Sequence, residues 1–125
     1  MIESVLLVDD DPDIRWIGEL ALSRVAGWKI FVAPSGEEAL KVAQVSSPDV
    51  ILLDVMMPRM DGPATLEALR ANKATALIPV IFCTAKAQRH EVEHFRSLGA
   101  VGVIAKPFDP MTLAQQVSDL VAAAV

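Results

Sequence analysis

The sequence predicts an α/β fold in which a five-stranded parallel sheet carries helices on both of its faces. Five short apolar runs alternate with five segments of helical character along the whole chain. Strands that alternate with helices of about 10–15 residues are typical of parallel sheets. The apolar runs are almost free of charged residues, as expected when helices cover both faces of a sheet.

The first strand and helix are predicted from the apolar run Ser4–Val8 and from the segment that follows it. An acidic residue followed by Pro12 is a common start of a helix. We expect this helix over residues 13–26, ended by Gly27. Its predicted buried face is an apolar stripe with helical spacing, formed by Ile14, Ile17, Ala21 and Val25 with Leu20 beside it.

Two further units complete the first part of the chain. Residues 28–33 alternate weakly and predict a second strand, and Ser35 with Glu38 forms a capping box that begins a helix ending near residue 46. The unbroken apolar run at Val50–Asp54 predicts a buried third strand. A turn at residues 61–63 then begins a helix that reaches about residue 72.

The last two units follow the same pattern. We expect a strand at residues 79–84, a helix at 87–98 that ends before Gly99, and a strand at Gly102–Ala105. Asp109 and Pro110 are expected to begin a last helix that runs to the C-terminus. These units use the entire chain, so we predict one domain over residues 1–125.

Composition narrows the classes of function. The net charge is −5 and the basic residues are scattered, which argues against nucleic acid as a partner. No apolar stretch has the length of a membrane span, and no basic segment precedes an apolar one at the N-terminus. The single cysteine, Cys83, excludes an internal disulfide. These observations predict a cytoplasmic protein.

Suggestive polar residues lie at or just beyond the carboxyl ends of four predicted strands: Asp9, Asp10, Asp54, Thr84 and Lys106. All of these ends share one edge of a parallel sheet, where such folds place their ligands. Clustered carboxylates suit a hard cation that keeps several waters, such as Mg²⁺. An ionised Asp54 is a possible nucleophile toward phosphorus, with a cation and an ammonium to neutralise phosphoryl oxygens.

Four motifs, in order and correctly spaced, resemble those of the receiver domain of bacterial two-component response regulators. They are Val8-Asp9-Asp10, Leu53-Asp54 through Pro58 with Asp61-Gly62, Thr84-Ala85, and Lys106-Pro107-Phe108. The resemblance extends over nearly the whole chain. It implies a doubly wound, flavodoxin-like three-layer sandwich with strand order 2-1-3-4-5.

The resemblance also implies roles for individual residues. Asp54 would accept a phosphoryl group from a phosphohistidine of a histidine kinase or phosphotransfer protein. Asp10 would bind Mg²⁺ directly, with support from Asp9, and the backbone carbonyl of Met56 would be a further ligand.

Two more roles follow from the same resemblance. Lys106 would contact the phosphate and precede a cis peptide bond, and Thr84 would shift toward the phosphoryl group. Such a protein catalyses only its own phosphorylation and dephosphorylation, and it is not an enzyme with turnover. Its output would be a switched interaction with a downstream protein target.

One position departs from the family pattern. Receivers commonly carry Tyr or Phe three residues before the lysine, where this chain has Val103. We therefore expect output to depend on shifts of the loop after Thr84 and of the fourth helix. Met56 and Lys86, each two residues beyond a site residue, would flank the path of the water that removes the phosphoryl group.

Some features point to other functions and were weighed against simpler explanations. His90, Glu91 and His94 match the H-E-x-x-H pattern of zinc peptidases. Both histidines fall outside the expected apolar stripe of that helix, Val92, Phe95 and Leu98, so we expect them to face solvent. Cys83 is expected to be a core residue.

Two apolar features are candidates for contacts with other proteins. Trp16 lies outside the predicted stripe of its helix and is either half-buried or a contact for the kinase or phosphotransfer partner. The last helix is richly apolar, and only some of its apolar residues are expected to join the core. The others, beside Val103, are a candidate surface patch for a partner protein or for a homodimer.

Four interpretations are compared at this point. The chain is either a stand-alone receiver, which Met1 favours, or a receiver cut from a larger regulator or hybrid kinase. A metal-dependent hydrolase is the third, and it is disfavoured because Met56 stands where a phosphatase with an aspartate nucleophile would have a second Asp. An unphosphorylated scaffold is disfavoured because every site residue is present.

Overall fold

The computed structural model describes residues 1–124, in which five strands alternate with five helices. The strands are β1 (Ser4–Val8), β2 (Lys29–Ala33), β3 (Val50–Asp54), β4 (Val80–Thr84) and β5 (Gly102–Ala105). The helices are α1 (Pro12–Ala26), α2 (Gly36–Ser46), α3 (Gly62–Ala71), α4 (Arg89–Ser97) and α5 (Leu113–Ala123). The alternation predicted from the sequence is confirmed.

All five strands belong to one parallel sheet with the order β2-β1-β3-β4-β5. β3 lies at its centre, where Leu53 pairs with Val8 of β1 and with Phe82 of β4. Each residue of β3 and of β4 is buried. The predicted doubly wound fold is therefore confirmed, and the carboxyl ends of the strands lie along a single edge.

Two apolar clusters, one on each face of the sheet, form the core. Leu6, Ile51, Leu53 and Phe82 pack with residues of α2, α3 and α4 on one face. On the other face, alternate strand residues pack with Ala21 and Leu22 of α1 and with residues of α5. Because successive side chains of a strand point to opposite faces, each strand contributes to both clusters.

Side-chain caps begin three of the helices close to the carboxyl edge of the sheet. Asp11 accepts a hydrogen bond from the backbone N–H of Asp13 at 2.9 Å, and Asp61 accepts one from Ala64 at 2.9 Å. Ser35 accepts one from Glu38 at 3.2 Å, which confirms that part of the predicted capping box. These caps fix where each loop leaves the sheet edge.

The predicted buried stripe of α1 is wrong at two positions. Ile17 and Val25 are 37% and 51% exposed, whereas Gly18, Ala21 and Leu22 are buried. A Cβ atom at Gly18 would lie 2.5 Å from Cδ2 of Leu7, so this glycine lies against β1. Glycine has no side chain, so an apolar periodicity cannot detect this part of the buried face.

The starts of α4 and α5 also differ from prediction. The last helix begins at Leu113 rather than near Asp109, because the Asp109 side chain accepts the N–H of Met111 at 2.9 Å and closes a separate turn. The fourth helix begins at Arg89, and only Phe95 of it is buried. Leu98, predicted to join its apolar stripe, is 42% exposed.

Gly62 ties the start of α3 to the end of β3. Its N–H donates to the carbonyl of Val55 at 2.9 Å, and a Cβ atom there would lie 2.6 Å from the carbonyl oxygen of Asp54. Both contacts are with backbone, which cannot rotate away as a side chain can. The close approach of α3 to the loop after Asp54 therefore requires glycine.

We expect Gly62→Ala to lower the free energy of unfolding by about 1–3 kcal/mol, as overpacked core substitutions do. The steric overlap outweighs the roughly 0.5–1 kcal/mol that alanine gains over glycine in a helix. Urea denaturation measures the change. Glu67→Ala, at an exposed position of the same helix, is the control and should change stability by less than about 0.5 kcal/mol. Equal stability of the two variants would contradict the close approach.

Candidate functional site

Four loops at the carboxyl edge of the sheet surround a cavity of about 440 Å³. Asp54 ends β3, Thr84 ends β4, and Asp9 and Lys106 immediately follow β1 and β5. All four side chains line this cavity, together with Asp10, Met56 and Lys86. The structure thus brings together every residue that the sequence placed at the strand ends.

The Lys106 ammonium bridges two buried carboxylates. Its Nζ lies 2.5 Å from Oδ2 of Asp9 and 3.0 Å from Oδ1 of Asp54. The carboxylates are only 2% and 6% exposed. An ammonium between two desolvated carboxylates makes charge-assisted hydrogen bonds to both and holds their oxygens at one point.

Burial and pairing act in opposite directions on these groups. Desolvation raises the pKa of Asp54 to about 6. The hydrogen bond from Lys106 lowers this pKa, and the charge of the Asp9 carboxylate raises it. Burial would lower the pKa of Lys106, but its hydrogen bonds to Asp9 and Asp54 outweigh that effect and leave this pKa raised. The lysine therefore stays charged, and a further positive charge at the site would favour an ionised Asp54.

Asp9 is held in place by its own neighbours. Its Oδ1 accepts the backbone N–H of Asp11 at 2.9 Å, and its carbonyl accepts Nη1 of Arg15 at 2.7 Å. The arginine comes from the first turns of α1, so the helix directly positions the β1–α1 loop. Sequence reasoning missed Arg15, because no motif marks an arginine that binds a backbone carbonyl.

Three carboxylates at the site are close enough to share a cation. One oxygen from each of Asp9, Asp10 and Asp54 lies within 4.8 Å of the other two. Asp10 is exposed, whereas the other two are buried, so water can reach the group from one side. An all-oxygen donor set with room for water fits Mg²⁺, and a divalent charge would relieve the repulsion among the three carboxylates.

Thr84 and Met56 are further residues of the cavity. Thr84 is buried, and its Oγ1 accepts the backbone N–H of Lys86 at 3.0 Å. Met56 follows β3, lines the cavity and has a side chain that is 78% exposed. The carbonyl of Thr84 accepts the N–H of Lys106 at 2.9 Å, and the Lys106–Pro107 bond is cis.

The residues that pointed to other chemistry are two exposed histidines and a buried cysteine. His90 and His94 are both exposed on α4, as expected, whereas a catalytic zinc requires an enclosed site. Cys83 is buried, and desolvation raises the pKa of its thiol to about 12, so it remains a protonated core residue.

Trp16, the apolar residue outside the predicted stripe of α1, lies on the surface. Trp16 is 65% exposed, and it borders a groove with Ile17, Val25 and Met111 between α1 and the turn before α5.

Val103 packs with the cluster on the α4 side of the sheet, whereas α5 packs on the opposite side. The apolar residues of α5 and Val103 therefore do not share one face of the sheet.

Glu91, like Arg15, is a residue near the site that sequence reasoning did not place there. It lines the cavity from α4, and its Oε1 accepts the backbone N–H of Gln88 at 3.2 Å. A glutamate three residues after a helix cap often turns back in this way. Here the cap residue is Gln rather than Ser or Thr, which weakened that signal.

No helix within residues 1–124 combines the length and the apolar character that a membrane crossing requires.

The family model for the response regulator receiver domain matches residues 5–118. Among curated relatives, the alkaline phosphatase synthesis transcriptional regulatory protein PhoP of Bacillus subtilis (strain 168) is 37% identical over 88% of this chain and 45% of its own length. The probable transcriptional regulator ycf27 of Guillardia theta is 38% identical over 89% of this chain and 42% of its own. The chain thus spans less than half the length of these relatives.

Solved structures show the same fold over at least 96% of both chains. The chemotaxis response regulator CheY4 of Vibrio cholerae is 32% identical, with a TM-score of 0.87 over 96% of this chain and 99% of its own. A response regulator of Chloroflexus aurantiacus is 33% identical, with a TM-score of 0.86 over 98% and 99%. The chain belongs to the response regulator receiver domains, the phosphate-accepting signalling modules of two-component systems.

Proposed function

We propose that Asp54 is the phosphoacceptor of this receiver and that Lys106 and Thr84 stabilise the transferred group. The observation that supports this assignment most directly is the Lys106 bridge, which places an ammonium 3.0 Å from an oxygen of a buried carboxylate. A nucleophile and a cation for the developing phosphoryl charge are the parts that phosphoryl transfer requires.

The transfer is a displacement at phosphorus. A carboxylate oxygen of Asp54 attacks the phosphorus atom of a phosphohistidine, the P–N bond breaks, and its electron pair returns to the imidazole of the donor. The Lys106 ammonium then shifts from the carboxylate to a phosphoryl oxygen, while the Thr84 hydroxyl donates to another. Both groups already line the cavity, so only short movements are needed when charge develops.

Mg²⁺ fits the acidic side of this cavity. Asp9, Asp10 and Asp54 would hold it with the backbone carbonyl of Met56, and it would neutralise phosphoryl oxygens when bound. Asp10 is the exposed member of the group, so it provides the route by which a hydrated cation enters.

The partners in this proposal are proteins. A histidine kinase or phosphotransfer protein delivers the phosphoryl group, and a downstream protein detects its presence in the cytoplasm. The net charge of −5 supports a protein rather than a nucleic acid as the direct partner of this domain. The domain accelerates only its own phosphorylation and dephosphorylation, and Met56 and Lys86 flank the path of the hydrolytic water.

The groove between α1 and the turn before α5 is the surface proposed to receive the phosphate donor. Trp16 is 65% exposed and Met111 is 74% exposed, and α1 begins directly after the acidic loop. Large apolar side chains that remain in water are typical of protein contacts, and tryptophan is often their strongest contributor. A donor seated here would present its phosphohistidine toward Asp54.

With Mg²⁺ and acetyl phosphate, we expect the wild-type protein to gain the mass of one phosphoryl group in intact-mass spectrometry. Asp54→Asn should gain none, since an amide is not a nucleophile toward phosphorus. Omission of Mg²⁺ should abolish most of the gain in the wild type. Equal modification of the variant and the wild type would refute the assignment of Asp54.

Trp16→Ala should separate docking from chemistry. We expect transfer from a phosphorylated histidine phosphotransfer protein to slow about tenfold or more, as for a central tryptophan of an interface, and phosphorylation by acetyl phosphate to stay unchanged. Leu77→Ala is the control, because Leu77 is 94% exposed but precedes β4 at the opposite edge of the sheet. A loss with acetyl phosphate as well would show that Trp16 supports the fold instead.

A further inference from the structure

The cavity above Asp54 contains a charge that the proposed phosphorylation does not use. Within the described residues, its lining includes the carboxylates of Asp9, Asp10, Asp11 and Asp54, and a fifth carboxylate, Glu91, from α4. Only two lysines, Lys86 and Lys106, line the same cavity. Glu91 is thus an acidic residue in the lining of the cavity into which a phosphoryl anion would be received.

The side chain of Glu91 is more enclosed than those of its neighbours on the helix. It is 21% exposed, compared with 68% for Glu93 and 77% for His90. Its Oε1 accepts the N–H of Gln88, so the carboxylate turns back toward the loop that follows β4. Among residues 1–124, the only basic side chain within 4.0 Å of this carboxylate is the imidazole of His90, at that distance.

We infer that Glu91 opposes phosphorylation of Asp54 electrostatically and thereby couples the charge at the site to the first turn of α4. This inference rests on the proposed function of Asp54. A phosphoryl group adds negative charge to a cavity that Glu91 already makes more negative, and within the described chain no lysine or arginine lies within 4.0 Å of the Glu91 carboxylate.

The same repulsion acts on the helix. Two of the side-chain bonds in the loop between β4 and α4 involve residues of the cavity: the Thr84 hydroxyl accepts the N–H of Lys86, and Glu91 accepts that of Gln88. Phosphorylation recruits Thr84 and repels Glu91, so it weakens the second bond and loosens the start of α4. Coupling of this kind is reciprocal, so removal of the Glu91 charge favours the phosphorylated state.

Glu91→Gln isolates the charge, because glutamine also accepts the N–H of the cap residue. Glu93→Gln removes one charge from an exposed position of the same helix and is the matched control. The measurement is the initial rate of phosphoprotein formation with Mg²⁺ and acetyl phosphate, followed by intact mass. It is made at an ionic strength of about 0.05 M and again at about 1 M, where the Debye length is ~3 Å.

We expect Glu91→Gln to raise the rate about threefold or more at low ionic strength and to match the wild type at high ionic strength. Glu93→Gln should stay within about 1.5-fold of the wild type in both conditions, and Glu91→Asp, which keeps the charge, should remain slow. A purely structural role of Glu91 would not produce this dependence on salt.

Two results would overturn the inference about Glu91, and a third would overturn the proposed function of Asp54 as well. Equal rates for Glu91→Gln and Glu93→Gln, or an increase that persists at high ionic strength, would show that the Glu91 charge does not act on the site. Failure of the wild type and of every variant to gain a phosphoryl group would instead overturn the proposed function of Asp54, and this inference with it.

Discussion

The bridge from Lys106 to Asp9 and Asp54 is the interaction on which the site depends. Two carboxylates that are 2% and 6% exposed would repel each other in a desolvated cavity without a cation between them. The ammonium satisfies both, and it reaches them because β5 ends beside Thr84 and delivers Lys106 to the same edge. Breaking such a buried arrangement by removing one partner is costly, since it leaves charge buried and unpaired.

The rest of the fold supplies the geometry that this bridge needs. β3 is buried throughout and ends in Asp54, so the central strand carries the carboxylate to the edge as a rigid support. Arg15 holds the carbonyl of Asp9 from α1, and Gly62 lets α3 lie against the loop after Asp54. Each neighbouring element therefore fixes one side of the cavity, and loops of a rigid sheet present the reactive groups.

The strands and their polar ends could be predicted from sequence, because a buried strand is mostly apolar and its charged residues lie at its ends or beyond them. Asp54 and Lys106 were found in this way, and the strand order came from the family motifs. The orientation of α1 could not be predicted, since Gly18 has no side chain to register in a periodicity. The roles of Arg15 and Glu91 were also missed, because both depend on contacts with backbone groups.

Val103 packs on the side of the sheet that faces α4. The loop after Thr84 and the first turn of α4 lie beside the site. One side-chain hydrogen bond fixes the loop at Thr84, and another joins Glu91 to the backbone of Gln88. α4 buries only Phe95, so few apolar contacts oppose its movement. We propose that this receiver, which carries Val103 where the resemblance leads us to expect an aromatic ring, transmits its state through the charge and the hydrogen bonds around this helix.

The measurement that most directly tests the central role of the bridge is urea unfolding of Lys106→Met near pH 7, with EDTA and then with Mg²⁺. The account predicts that the variant loses about 3 kcal/mol in EDTA, because Asp9 and Asp54 are left unpaired, and that Mg²⁺ restores part of the loss. Lys86→Met, which removes a lysine that makes no ion pair within the described residues, should unfold like the wild type. Unchanged stability of Lys106→Met in EDTA would contradict the account.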